Sequence, residues 1–247
     1  MILGLDLDNT LVNYESAFAR AAWDLGMVDE PWKGTKQDLK THLRKQANGE
    51  VSWKHLQGQV YSRYLTHARM VDGVPLFLRR CKLRKTQPWI VSHKTIFGHY
   101  DEGGVPLRNA ALEWLEKQGM FSDTEYGIDR DHIYFESTRR SKAKQVKTLK
   151  CTHFVDDLPE VFAEPTFPES VMQVHYRRDY FSYHSIDNNR ITCGSWYEIG
   201  DILLGVLDQK EILSLVNDRW PNIGFNDCQA IKGRGNSRVH KLLTGGD

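Results

Sequence analysis

Apolar residues along the chain come in short blocks, each cut off by a polar residue. Met1-Ile2-Leu3-Gly4-Leu5 stops at Asp6, Pro88-Trp89-Ile90-Val91 at Ser92, Ile133-Tyr134-Phe135 at Glu136, and Thr152-His153-Phe154-Val155 at Asp156. Val171-Met172-Gln173-Val174-His175 is a fifth block. Short apolar runs of this kind predict strands buried on both faces, as in parallel sheets. Helical periods separate them. Leu107, Ala110, Ala111, Trp114 and Leu115 form one stripe, opened by Pro106 and closed by Gly119. Strands alternating with helices predict an α/β fold with a doubly wound parallel sheet, whose ligands lie at the carboxyl ends of the strands. Asp6, Ser92 and Asp156 all fall at such ends.

Residues 13–70 break the rhythm. Phe18, Ala21, Ala22 and Leu25 form one helical stripe, Leu39 and Leu43 lie four apart, and Trp53, Leu56, Val60 and Tyr64 form another. Ser52 is a candidate N-cap for the last. No strand is legible there, so the pattern predicts a small all-helical insertion between the first strand and a helix carrying Pro75 in its first turn. This divides the chain into a core of residues 1–12 and 71–208 and a helical insertion of residues 13–70. Residues 176–190 read as a polar, aromatic-rich loop. Ser195 and Glu198 make a capping box for an apolar helix through Leu207, and Asp208 with Glu211 could cap a second. Residues 209–247 form a carboxyl-terminal tail.

Composition narrows the partners. In 247 residues, 33 Lys+Arg against 32 Asp+Glu leave a formal charge of +1, which argues against nucleic acid or an anionic membrane as the main partner. The aliphatic stretch from Ile202 to Leu207 is too short to cross a bilayer. The first ten residues lack the basic start and long apolar run of a signal peptide. Cys81, Cys151, Cys193 and Cys228 include no Cys-x-x-Cys, so neither a zinc site nor a disulfide framework is indicated. The default expectation is a reduced, cytoplasmic protein.

The candidate chemistry lies at the strand ends. Asp6-Leu7-Asp8-Asn9-Thr10 follows the first strand at once, and Ser92, Lys142 and Asp156-Asp157 follow in order at strand ends or a helix start. Singly, each signal is weak: Ser92 reads as a turn serine, Lys142 as part of the solvated basic run 139–144, and Asp156-Asp157 as a cap for the helix beginning near Pro159. In order, they resemble the four motifs of the haloacid dehalogenase (HAD) superfamily over about residues 1–205. The resemblance implies a Mg²⁺-dependent phosphohydrolase acting on a small phosphorylated metabolite. Asp6 would attack phosphorus, and Asp8 would act as general acid and then general base, which requires its carboxyl to be protonated before the first step. Ser92 would bind a phosphoryl oxygen, and Lys142, with Lys144 as its rival, would neutralise charge. Asp6, Asp156 and Asp157, with the backbone carbonyl of Asp8, would hold the metal. Asn9, Thr10, His93 and Lys94 are expected on the substrate side, with ordinary loop polarity as the alternative for His93 and Lys94.

The dehalogenases of the superfamily lack the second aspartate, so Asp8 ranks a phosphatase above them. A phosphomutase or other phosphotransferase uses the same pair and stays open. So does a binding or regulatory module of a longer bifunctional protein. In this family the insertion is a cap over the site, where Lys54, Tyr61, Arg63 and Tyr64 could meet the leaving group, or lie in the core (Tyr64) and on the solvated face. In the tail, residues 231–242 with Gly233 and Gly235 resemble the glycine-rich loop that opens aminoglycoside phosphotransferase-like kinase domains. The remaining parts of such a kinase do not follow within the chain, so the tail is expected to be the start of a truncated second domain or a basic, glycine-rich terminus.

Overall fold

Leu3 and Leu5 are completely buried on one face of the strand that ends at Asp6, and this strand lies in the middle of the main sheet. The computed structural model describes residues 1–98, 104–178, 180, 186–187 and 189–217. Its elements run β1 (Leu3–Leu5), β2 (Val12–Asn13), α1 (Glu15–Asp24), α2 (Lys36–Arg44), α3 (Gly49–Val60), β3 (Arg69–Met70), α4 (Val74–Leu83), β4 (Trp89–His93), α5 (Leu107–Lys117), β5 (Ile133–Glu136), α6 (Arg139–Thr148), β6 (His153–Asp156), α7 (Pro159–Phe162), β7 (Met172–Tyr176), β8 (Ile186–Asp187), β9 (Arg190–Cys193), α8 (Trp196–Leu204) and α9 (Gln209–Asn217). The main sheet has the order β5-β4-β1-β6-β7-β9-β8. Every neighbouring pair is parallel except β9 with the short edge strand β8. The fold is the α/β, doubly wound sheet that the pattern predicts.

Period-two alternation sorts the strand residues between two helical layers. Leu5, Ile90, Val155 and Val174 join the larger core with α4 and α8, while Val91 and Phe154 join a second cluster with Ala143 and Val146 of α6 and Val161 and Phe162 of α7. The chain leaves β1 for β4 and β5 on one side and returns to β6 and β7 on the other. A crevice therefore opens at the carboxyl end of β1, the place where sheets of this winding bind ligands.

Four local expectations change. β8 and β9 lie where the sequence predicts only a loop and its exit; β9 is four residues long, too short a stretch for alternation to register. The helical insertion is bounded by a small antiparallel pair, Val12 with Met70 and Asn13 with Arg69, so residues 13–70 do begin and end in strand. Ser52 is not an N-cap: α3 starts a turn earlier, after Asn48. Gly49 makes that corner feasible, because a Cβ there would stand 2.1 Å from the Leu43 carbonyl oxygen. Finally, α8 ends at Leu204 rather than Leu207, stopped by Gly205 at φ +72°. Asp208 and Glu211 do cap α9, each side chain accepting from the other's backbone N–H. Ile212 and Leu215 of α9 are buried in the same core, and Arg84 pairs with Glu211 at 2.6 Å, so the tail's first helix packs against α4. Residues 231–242 lie outside the described residues.

Between β2 and β3, Phe18 of α1 stacks on Trp53 of α3 with centroids 5.1 Å apart, and Leu39 and Leu43 of α2 are fully buried. Thr35 caps α2 through a reciprocal box with Asp38. Among the described residues, no helix is long and apolar enough to cross a membrane.

Candidate active site

The β1 strand delivers Asp6 into the crevice, where its backbone N–H donates to the Val155 carbonyl at 2.9 Å. The chain then turns tightly: Asn9 has φ 61°, and the N–H groups of Leu11 and Val12 both donate to the Leu7 carbonyl. This folds Thr10 back under Asp6. Thr10 Oγ1 is fully buried and donates to Asp6 Oδ2 at 3.0 Å and to Asp157 Oδ1 at 3.3 Å. Trp196 of α8 supports the turn from below, its Nε1 donating to the Thr10 carbonyl at 2.9 Å. Tryptophan packing of this kind has no sequence signature, and Trp196 was legible only as part of an apolar helix.

Lys142 lies in the first turns of α6, which Thr138 and Ser141 cap reciprocally. Its side chain is 1% exposed, and its Nζ reaches Asp6 Oδ1 at 2.5 Å and Asp156 Oδ2 at 2.6 Å. Lys144 is exposed. The geometry therefore chooses Lys142 over Lys144 as the lysine at this cluster. Asp156, at the end of β6, is fully buried and also accepts from the Leu158 N–H at 2.9 Å. Ser92 Oγ, at the end of β4, is buried without a hydrogen-bond partner among the described residues.

The electrostatics follow from burial. Loss of hydration lifts Asp6 to about 7; Lys142 opposes the shift, and Asp156 and Asp8 add to it. Burial likewise raises Asp156, and it pushes Asp157 up to about 8 with help from Asp6 and Asp156. Burial alone would depress the Lys142 ammonium, but Asp6 and Asp156 together lift it above its ordinary value. The cluster thus carries more negative charge than one lysine neutralises. Asp6, Asp156 and Asp157 place carboxylate oxygens within 4.8 Å of one another, a hard all-oxygen donor set that fits a divalent cation such as Mg²⁺.

Asp8 is held separately from this trio. Lys94, 3% exposed, reaches its two oxygens at 2.8 and 3.0 Å, and the Tyr14 hydroxyl donates to it. Burial raises the Tyr14 phenol well above its ordinary value, and Asp8 adds to the shift, so the hydroxyl keeps its proton and donates. Asn9 Oδ1 accepts from Lys36 Nζ, at the start of α2, at 3.0 Å. His93 bonds through Nε2 with the Ser137 carbonyl at 3.1 Å. Neither Tyr14 nor Lys36 stood out in the sequence, since one tyrosine or lysine among helical residues carries no positional signal.

A cavity of about 360 Å³ lies between this edge and α3, lined by Asp6, Asp8, Lys54, Tyr61, His93 and Lys94 among others. It falls in the range of small-molecule sites, roughly 300–1,000 Å³. Lys54 and Tyr61 thus face the cavity, Arg63 is exposed, and Tyr64 is half-buried against the core. Apart from Thr10, every residue singled out in the first motif, together with His93, Lys94, Lys142 and Asp157, lines this space, while Ser92 and Asp156 lie in the buried floor beside it.

No protein-family model matches the chain, and no curated protein matches it. Several solved structures are similar to it. A HAD-superfamily hydrolase from Ehrlichia chaffeensis is 13% identical, with 84% of this chain and 97% of that one covered and a TM-score of 0.47. A HAD family hydrolase from Deinococcus radiodurans, with bound phosphate and sodium, is 14% identical over 82% of this chain and 94% of that one, with a TM-score of 0.45. Protein tyrosine kinase A of Mycobacterium tuberculosis is 13% identical over 83% of this chain and 98% of that one, with a TM-score of 0.49. At these identities and scores the functional assignment rests on the residues of the site.

Proposed function

We propose that the protein is a Mg²⁺-dependent phosphohydrolase of the HAD type that acts on a small phosphorylated metabolite through an aspartyl-phosphate on Asp6. One observation carries this reading: Lys142 bridges Asp6 and Asp156 in a buried floor, at the same edge of the sheet where the Ser92 hydroxyl is buried without a hydrogen-bond partner among the described residues. A purely structural core has little use for two buried carboxylates, a buried ammonium and an orphaned hydroxyl converging from four elements, because each is costly to desolvate.

In this reading, residues 1–12 and 71–208 form the catalytic core, residues 13–70 the cap, and residues 209–247 a carboxyl-terminal segment. Asp6, Asp156, Asp157 and the Asp8 carbonyl would hold Mg²⁺. Bound there, the cation would neutralise charge on the transferring phosphoryl group. An Asp6 oxygen attacks phosphorus as the bond to the leaving oxygen breaks, and Asp8, which must enter this step protonated rather than as the ion-paired carboxylate of the free site, gives that oxygen its proton. Water then attacks the aspartyl-phosphate, and Asp8 takes the proton back, which restores Asp6 and releases phosphate. Ser92 donates to a phosphoryl oxygen, and Lys142 offsets charge on Asp6 throughout. Asn9, Thr10, His93 and Lys94 order the substrate side of the cavity.

A panel of phosphorylated sugars, nucleotides and acids with a phosphate readout tests this. Phosphate release that stops in chelator and returns with Mg²⁺ is expected. Full turnover in excess chelator would remove the metal from the mechanism. An isomeric phosphoester in place of free phosphate would make the protein a mutase.

A further inference from the structure

A second cavity, of about 230 Å³, shares Asn9 and Asp157 with the first, and nothing in the proposed reaction uses it. Its cations are Lys36, at the start of α2, and Arg177 and Arg178, just after β7. Lys36 Nζ donates to Asn9 Oδ1 at 3.0 Å and stands 3.5 Å from the Tyr61 hydroxyl. It also lies 4.8 Å from the centre of the Phe18 ring and 5.9 Å from those of Tyr14 and Tyr61. An amide oxygen, a hydroxyl and three rings thus fix the ammonium, and none of them carries a net negative charge. Among the described residues no carboxylate comes within ion-pair distance of it. Burial depresses it below its ordinary value, although Asp8, Asp157 and Glu15 act against the shift. The two acids that line the cavity are engaged: Glu15 accepts the Lys36 backbone N–H at 2.6 Å and faces Arg178 at 3.6 Å, and Asp157 accepts from Thr10. Lys142 marks the contrast, since two carboxylates lie directly against its ammonium. A desolvated cation without a counter-ion is costly, and on a cavity wall a ligand can supply the missing charge.

We propose that this cavity is an oxyanion subsite with Lys36 as its central cation, and that it takes a second carboxylate or phosphate group of the phosphorylated substrate. Asn9 and Asp157, common to both cavities, place the subsite beside the phosphoryl position. The exposed Arg177 and Arg178 give its rim a positive field that favours entry of an anion. The substrate class narrows to phosphoesters with a second oxyanion, which rests on the phosphohydrolase reading above.

Calorimetry on the full chain with Mg²⁺ compares alkylphosphonates with ω-carboxyalkylphosphonates of matched length, which bind without turnover. At one chain length the carboxylate should tighten Kd about tenfold or more, the worth of a charge-assisted hydrogen bond. Lys36→Met should cut that gain to less than about threefold, and Lys36→Arg, which keeps the charge, should retain most of it. Without ligand, Lys36→Met should unfold at the same denaturant concentration or a higher one, because methionine removes an unpaired charge and fills the ring-lined space. No gain at any length, a gain that survives Lys36→Met, or a markedly lower unfolding midpoint for Lys36→Met would overturn the proposal. So would inorganic phosphate that binds through Lys36 without competing with the carboxyalkylphosphonates, because the occupant would then be a free anion. A Lys36-dependent gain in a protein that releases phosphate from no ester would support the subsite and sink the phosphohydrolase reading instead.

Discussion

Lys142 and Lys94 each hold an aspartate of the turn after β1, one from the floor of the cavity and one from its wall. Lys142 is fixed by core elements alone: α6 places it, and β1 and β6 supply Asp6 and Asp156. Its partners are 6% and 0% exposed. Lys94 is equally buried, but Asp8 is 21% exposed, and the ring that packs against the ammonium belongs to the residue that follows α3. Nearly identical ion pairs thus differ in what holds them. The first is made by α6 and the ends of two sheet strands, and the second also packs against a ring from the helical insertion. Under the proposed function, the first environment is the one that holds the nucleophile and the metal.

The comparison is broken most severely at its two aspartates. Asp6→Asn removes the proposed nucleophile, so turnover should fall to background and no phospho-enzyme should appear on rapid acid quench with mass spectrometry. Asp8→Asn should lose roughly 10²–10⁴-fold on alkyl phosphates. On p-nitrophenyl phosphate it should lose less and accumulate phosphate on Asp6, because the proposed base for the second step is missing. An Asp8→Asn protein that never carries phosphate while the wild type does would reassign the roles.

The lysines give smaller, graded effects. Lys142→Met leaves two buried carboxylates facing each other, so the metal-free protein should lose about 3–5 kcal/mol in denaturant unfolding, and Mg²⁺ should restore part of it. Unchanged stability would mean that the buried carboxylates of the floor do not depend on Lys142. Lys94→Met should cost on the order of 1–2 kcal/mol, since Asp8 keeps its bond from Tyr14 and some contact with water. A Lys94 variant as unstable as the Lys142 variant would erase the distinction between floor and wall.

Five sheet strands, three of which carry Asp6, Ser92 and Asp156 at their ends, were legible because strands covered by helices on both faces are largely apolar, and their polar stops mark the edge of the sheet. Asp6, Ser92 and Asp156 could be placed for that reason. Lys142 was favoured over Lys144 in the sequence only by its place nearer the helix start, since both stand in one basic run; burial against Asp6 and Asp156 is what distinguishes them. Ser52 misled because a serine within a helix looks the same as one at its start, and the corner at Gly49 is set by contact with α2.

What the sequence by itself determined is therefore local and one-dimensional: which segments are strand or helix, where the polar residues interrupt them, and the order of Asp6, Asp8, Ser92, Lys142 and Asp156. Periodicity and chain order are properties of neighbouring residues, so they survive without a fold. The tertiary structure decided everything that depends on distance between remote segments. It brought Lys142 to Asp6 across 136 positions and Lys94 to Asp8 across 86. It also set Trp196 beneath Thr10, and Tyr61 against Lys94 and Tyr14. Those contacts arise because sheet order and helix docking, not sequence spacing, choose which side chains share a buried space, and the cost of burying charge then dictates which of them must pair.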